Sequence, residues 1–172
     1  ADERSFASVT IGAARLQAML RTLGPDWSGD HAAPTGAAAI LLVVPQEVYH
    51  TLGALVLGGQ LRRKGLSVKL MLGASTKEVA ASVQRTTFSA VFISSSRGET
   101  LESLRLIVDA VKTSLLTPPP VVVGGSILEV ETVQNVTALT GADHATQLPD
   151  EALDFCGLHV TSPDKTRHKF KA

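Results

Sequence analysis

Ala38–Gly65 reads AAILLVV, then PQEVYH, then TLGALVLGGQLRRKG: an apolar run, a polar break, and an apolar-rich stretch closed by glycine. The run Ala38–Val44 is strand-sized, and its lack of polar alternation is what a strand buried on both faces requires. Pro45–Tyr49 predicts a loop. From about His50 to Lys64 the pattern predicts a helix, with Gly65 as its left-handed cap. A doubly buried strand followed at once by a helix is the opening half of a βαβ unit, and a second buried strand after Gly65 would complete it.

The same alternation repeats down the chain. Ser67–Leu72 reads as a second strand and Thr76–Arg85 as a second helix. Ser89–Ile93 (SAVFI) is a third strand, followed by the serines 94–96 and Gly98. Glu99–Ser114 places Leu101, Leu104, Ile107, Val108 and Val111 on one helical face. Pro118–Pro120 leads into a fourth strand, Val121–Val123, which runs into Gly124-Gly125. A helix near Leu128–Leu139, a short strand after Gly141 and a last helix from Asp150 to Phe155 complete five units. Such repetition predicts an α/β fold with a doubly wound, five-stranded parallel sheet. Right-handed crossovers put every loop that follows a strand on one edge, and ligands bind beyond that edge near a topological switch point. Three loops are therefore singled out: 45–53, 94–98 and 124–126.

The flanks differ in character. Residues 1–36 predict an amphipathic helix over Phe6–Leu23, stopped by Gly24-Pro25, and then a polar linker. Residues 37–160 form the α/β domain, and 161–172 a polar, basic tail. Formal net charge is zero, which argues against direct nucleic-acid binding through phosphate neutralisation. No apolar stretch is long enough to span a bilayer, so no membrane partner is expected. The charged start lacks a signal-peptide core, which predicts a cytoplasmic protein. The one cysteine, Cys156, excludes an internal disulfide framework and reads as a small apolar helix residue. There is no Walker loop, no nucleophile elbow and no H-E-x-x-H helix, and the carboxylates are scattered, so an enzyme is not expected. Leu57-Gly58-Gly59 reads as close helix packing.

The three loops carry a spaced set of residues. His50 and Gly53 stand in the first, Ser95, Ser96 and Arg97 in the second, Gly124 and Gly125 in the third. Forty-one residues, 54–94, separate Gly53 from Ser95, and 26, 98–123, separate Arg97 from Gly124. This spacing resembles the cobalamin-binding domain family, whose fingerprint is D-x-H-x-x-G, forty-odd residues, S-x-L, some twenty-seven more, and G-G. The resemblance covers about residues 37–158 and implies a Rossmann-like or flavodoxin-like fold. It makes His50 the ligand to a tetrapyrrole metal and Gly53, Ser95, Ser96, Arg97, Gly124 and Gly125 cofactor-binding residues. Gly141-Ala142-Asp143 looks like the family's turn into its final strand.

Two positions depart from the fingerprint. Val48 stands where the family has the aspartate that orients the histidine, with Glu47 beside it. Neither serine register supplies the leucine, and Arg97 stands in place of a small apolar wall residue, against room for the nucleotide tail of cobalamin. A histidine kept while tail features are lost is similar to the sensors containing haem instead of cobalamin found in AppA-type antirepressors of photosynthesis genes. That subgroup implies a histidine-ligated haem, a sensory role in redox or light regulation, and a transcriptional repressor as partner. Cobalamin is the alternative cofactor, in a regulatory or carrier module; a ligand-free interaction module is a third reading. Arg97 is the residue placed to pair a haem propionate, Arg62–Lys64 read as solvated charges at a helix end, and His144 is the other histidine considered as a metal ligand.

Overall fold

Ile40, Leu42 and Val44 pack on one side of the first strand, and Leu41 and Val43 on the other. Period-two alternation thus turns the unbroken apolar run into two buried faces. The computed structural model describes residues 36–45 and 51–158. Its elements in chain order are β1 (Ala39–Pro45), α1 (Leu52–Arg63), β2 (Ser67–Ala74), α2 (Thr76–Arg85), β3 (Ala90–Ser95), α3 (Leu101–Lys112), β4 (Val121–Gly125), a 3-10 turn (Ser126–Glu129), α4 (Val133–Thr140), β5 (His144–Ala145) and α5 (Pro149–Phe155). The helix expected near Leu128–Leu139 is divided. Thr132 caps a new helix by accepting the Asn135 N–H, so the 3-10 turn and α4 are separate elements.

All strand pairs are parallel, in the order β2-β1-β3-β4-β5. The order reverses between β1 and β3, which makes the loops after those strands the switch point. One face is covered by three helices: Val79 and Val83 of α2, Leu104, Ile107, Val108 and Val111 of α3, and Val136 of α4. Among the described residues the other carries α1, through Ala54 and Leu61, and α5, through Ala152 and Leu153. Two helices cannot close a face that takes three on the opposite side. The consequence is a gap over β3 and β4.

Local chemistry fixes the ends of these elements. Gly65 (φ +85°) and Gly141 (φ +75°) take the left-handed conformation that ends α1 and α4. Asp143 then ties α4's exit to the sheet, accepting from the Val121 N–H at 2.8 Å and pairing with Lys112 Nζ at 2.7 Å. Gly58 lies over Leu42: a Cβ there would stand 3.8 Å from Leu42 Cδ2. The Gly58-Gly59 pair is buried in α1, as close packing on β1 requires. Arg62 and Lys64 are not merely solvated charges. The Arg62 guanidinium donates to the Val68 carbonyl at 3.0 Å, and Lys64 Nζ pairs with Asp150 at 2.8 Å. Both contacts fasten α1 to a neighbouring element. Among the described residues no helix is long and apolar enough to cross a membrane.

Candidate functional site

The gap between α1 and α5 is a slot of about 470 Å³, within the size range of small-molecule sites. Its floor is Leu42, Phe92 and Val122, which lie side by side in register on β1, β3 and β4. Each sits three residues before the end of its strand, so the slot reaches about 10 Å below the strand edge. One wall is α1, from Leu52 and Gly53 through Val56 and Leu57 to Gln60. The facing wall is Thr146–Pro149 with Ala152, and Ser94, Gly124 and Gly125 form the rim. None of these lining residues is charged. The polar groups are amides and hydroxyls: Gln60, Ser94, Thr146 and Gln147.

The anchors read from the sequence come together unevenly. Gly53, Gly124 and Gly125 all line the slot. Gly124 and Gly125 also have a backbone reason to be glycine. A Cβ on Gly124 would lie 2.7 Å from the Thr146 carbonyl oxygen, and one on Gly125 2.1 Å from that of Ser95. Gly125 further has φ +101°. Ser95 is buried and its hydroxyl donates to the Gly124 carbonyl at 2.7 Å, locking β3 to β4 rather than facing the slot. The slot-facing serine is Ser94, which shares the Phe92 face by strand alternation. Ser96 is not among the lining residues.

Arg97 departs from the expectation. Its side chain is exposed and paired with Glu129, its N–H donates to Ser126 Oγ at 3.2 Å, and it forms no part of the slot. It therefore leaves the slot unfilled, with its guanidinium engaged by Glu129. His144 is engaged as well, 3.2 Å from Glu151 and stacked on Phe155 with ring centroids 4.6 Å apart. His50, with Glu47 and Val48, lies outside the described residues, as do the helix expected over Phe6–Leu23 and the tail from 161. Cys156 is half-buried, and burial, with the Asp143 charge adding to it, raises its thiol pKa to about 11.

This five-stranded parallel fold has counterparts among known proteins. The B12 binding domain model matches residues 38–154, well over half of the chain. The chain belongs to the B12-binding domain family. One relative is a Rhodobacter capsulatus protein described as an uncharacterized 20.5 kDa protein in the bchF-crtJ intergenic region. It is 31% identical over 145 residues, spanning 84% of this chain and 74% of the relative. Among solved structures, a cobalamin-binding protein from Desulfitobacterium hafniense DCB-2 superposes with a TM-score of 0.59 at 22% identity, covering 90% of this chain and 71% of that one. That likeness is one of fold.

Sequence reasoning missed most of the slot. Val56, Leu57 and Gln60 look like ordinary helix positions, and Thr146–Pro149 like a plain connection. The available signal was the run of small residues in α1, which lets that helix lie close to β1.

Proposed function

We propose that this B12-binding domain holds a cobalamin, with His50 as axial ligand to cobalt and the slot between α1 and α5 receiving the nucleotide tail. The observation that carries this is the slot: deep, uncharged and mostly apolar, with amide and hydroxyl groups at its sides. An aromatic base suits Leu42, Phe92 and Val122, and a sugar's hydroxyls suit Gln60, Ser94 and Gln147. His50 precedes Leu52, the first helical residue of the slot wall, by one intervening residue. A neutral imidazole ligates cobalt or haem iron equally well, so the metal ligand alone does not choose between them. The corrinoid, when bound, supplies a cobalt centre whose axial position responds to redox state and light. The chain's own residues supply the histidine, the slot and a glycine rim.

Haem is the second reading, favoured by Val48 in the aspartate position and by the missing leucine after Ser95. A flat macrocycle on the strand edge makes no use of a slot about 10 Å deep, and the lining offers its propionates no cation. In either case the domain acts as a non-catalytic sensory module of a transcriptional antirepressor that meets a repressor protein. The bchF-crtJ setting of the Rhodobacter relative supports that role. Parallel absorbance titrations with hydroxocobalamin and hemin, on wild type and His50→Ala, test the cofactor. Saturable cobalamin binding that weakens in His50→Ala is expected. A saturable, His50-dependent Soret shift with hemin and no cobalamin response would transfer the reading to haem.

A further inference from the structure

We propose that a tether of Thr146, Glu151 and His144 sets the width of the slot, and so the domain's preference for a corrinoid that carries a nucleotide tail. This inference rests on the cobalamin reading. Helix α5 is only seven residues long, and its N-cap, Leu148, provides no side-chain cap. The missing cap is replaced from the strand side. Thr146 Oγ1 accepts from the Leu148 N–H at 3.1 Å and donates to Glu151 Oε2 at 2.6 Å. The other carboxylate oxygen lies 3.2 Å from His144 Nε2, and the His144 ring stacks on Phe155 at the far end of the helix. These contacts tie β5 to the start, the first turn and the last residue of α5. The carboxylate's pKa is lowered, first by the Thr146 hydroxyl bond, so Glu151 is an anion in this arrangement.

The tethered segment is one entire wall of the slot: Thr146, Gln147, Leu148, Pro149 and Ala152. β5 itself is two residues long and, among the described residues, pairs with β4 alone. Besides the tether, α5 is located by the packing of Ala152 and Leu153 and by the exposed Lys64–Asp150 pair to the end of α1. Neither Glu151 nor His144 lines the slot, and the Thr146 hydroxyl is engaged by Leu148 and Glu151. The three are positioning residues that act through the wall.

The test compares hydroxocobalamin with aquacobinamide, which has the corrin ring and cobalt but no nucleotide tail. Equilibrium affinities for both are measured on wild type, Thr146→Val, Thr146→Ser and Glu151→Ala. Wild type is expected to prefer hydroxocobalamin. Thr146→Val keeps the side-chain shape but loses a charge-assisted bond, and should lower that preference about ten-fold while leaving cobinamide affinity unchanged. Thr146→Ser retains the hydroxyl and should restore the preference. Should Thr146→Val not fold, Glu151→Ala removes an exposed carboxylate and reads out the same ratio. Equal losses for both ligands, or an unaltered ratio, would overturn the tether while leaving the cobalamin reading in place. A wild type that binds neither corrinoid would overturn the cobalamin reading and this inference with it, and one that binds both alike would overturn the slot as the tail site, and with it this inference, while leaving cobalamin binding in place.

Discussion

Replacing Gly125 with alanine tests whether the Gly-Gly pair is demanded by the backbone itself. Gly125 has φ +101° and ψ −170°, a region open essentially only to glycine. Forcing a side chain to adopt it costs about 1–3 kcal/mol. The new methyl would also lie 2.1 Å from the carbonyl oxygen and 2.9 Å from the nitrogen of Ser95, on the strand paired with it. Those are backbone atoms of a central strand and cannot rotate away, so overpacking adds about 1–3 kcal/mol. The two together predict a loss of about 2–6 kcal/mol, a large part of the roughly 5–15 kcal/mol that holds a domain together. Urea denaturation followed by circular dichroism measures it. Gly53→Ala is the matched control: it lines the same slot, but nothing stands within 4 Å of the added Cβ. Because it is helical, it should be neutral or stabilised by up to about 1 kcal/mol. A Gly125→Ala protein within about 0.5 kcal/mol of wild type would refute the backbone argument and leave ligand approach as the reason for the glycines.

Three further outcomes are expected from the geometry. Val56→Trp places a large ring at the partly exposed α1 wall; it should abolish hydroxocobalamin binding and spare aquacobinamide, as read by absorbance titration. Ser75 and Glu78 form a capping box at the start of α2, so Ser75→Ala should cost about 1 kcal/mol in urea unfolding. The Glu78 pKa is lowered, chiefly by its bond from the Ser75 N–H. Its contribution is therefore present above the ordinary glutamate pKa and is lost as pH falls through the lowered value. A thermal-melt series from about pH 6 to 3 should show an acid slope that is shallower in Glu78→Gln. With its pKa raised from 9.0 to about 11, the Cys156 thiol should react at about pH 8 roughly a hundred-fold more slowly with iodoacetamide than a free cysteine thiol. Equal rates would show that the thiol is not held in this half-buried position.

Fold class was legible because each strand announces itself by burial. Ala38–Val44 and Ala90–Ile93 are apolar without interruption, and each is followed by a helix with a plain start or stop. Thr76–Arg85 was readable to the residue, since Ser75 and Glu78 mark its beginning. The division after Glu129 was not, because Thr132 lies within an otherwise helical spacing and its capping bond is invisible in the pattern. Within the site, the glycines could be located from the resemblance of their spacing to the family fingerprint. Ser95 and Arg97 misled because a motif register says which loop a residue occupies, not which way its side chain turns: Ser95 faces β4 and Arg97 faces Glu129. The slot was illegible because it arises from a difference between faces, three helices against two, which no local stretch encodes.

In the cobalamin complex proposed here, His50 would hold the cobalt and the slot would hold the nucleotide tail. Electron paramagnetic resonance of cob(II)alamin bound to protein labelled with nitrogen-15 histidine tests that ligation directly. The axial-nitrogen splitting should change from the triplet of nitrogen-14 to the doublet of nitrogen-15, and this change should be lost in His50→Ala. A triplet unaltered by labelling would mean that the cofactor's own base still holds the metal, and would contradict the assignment of His50 as the ligand.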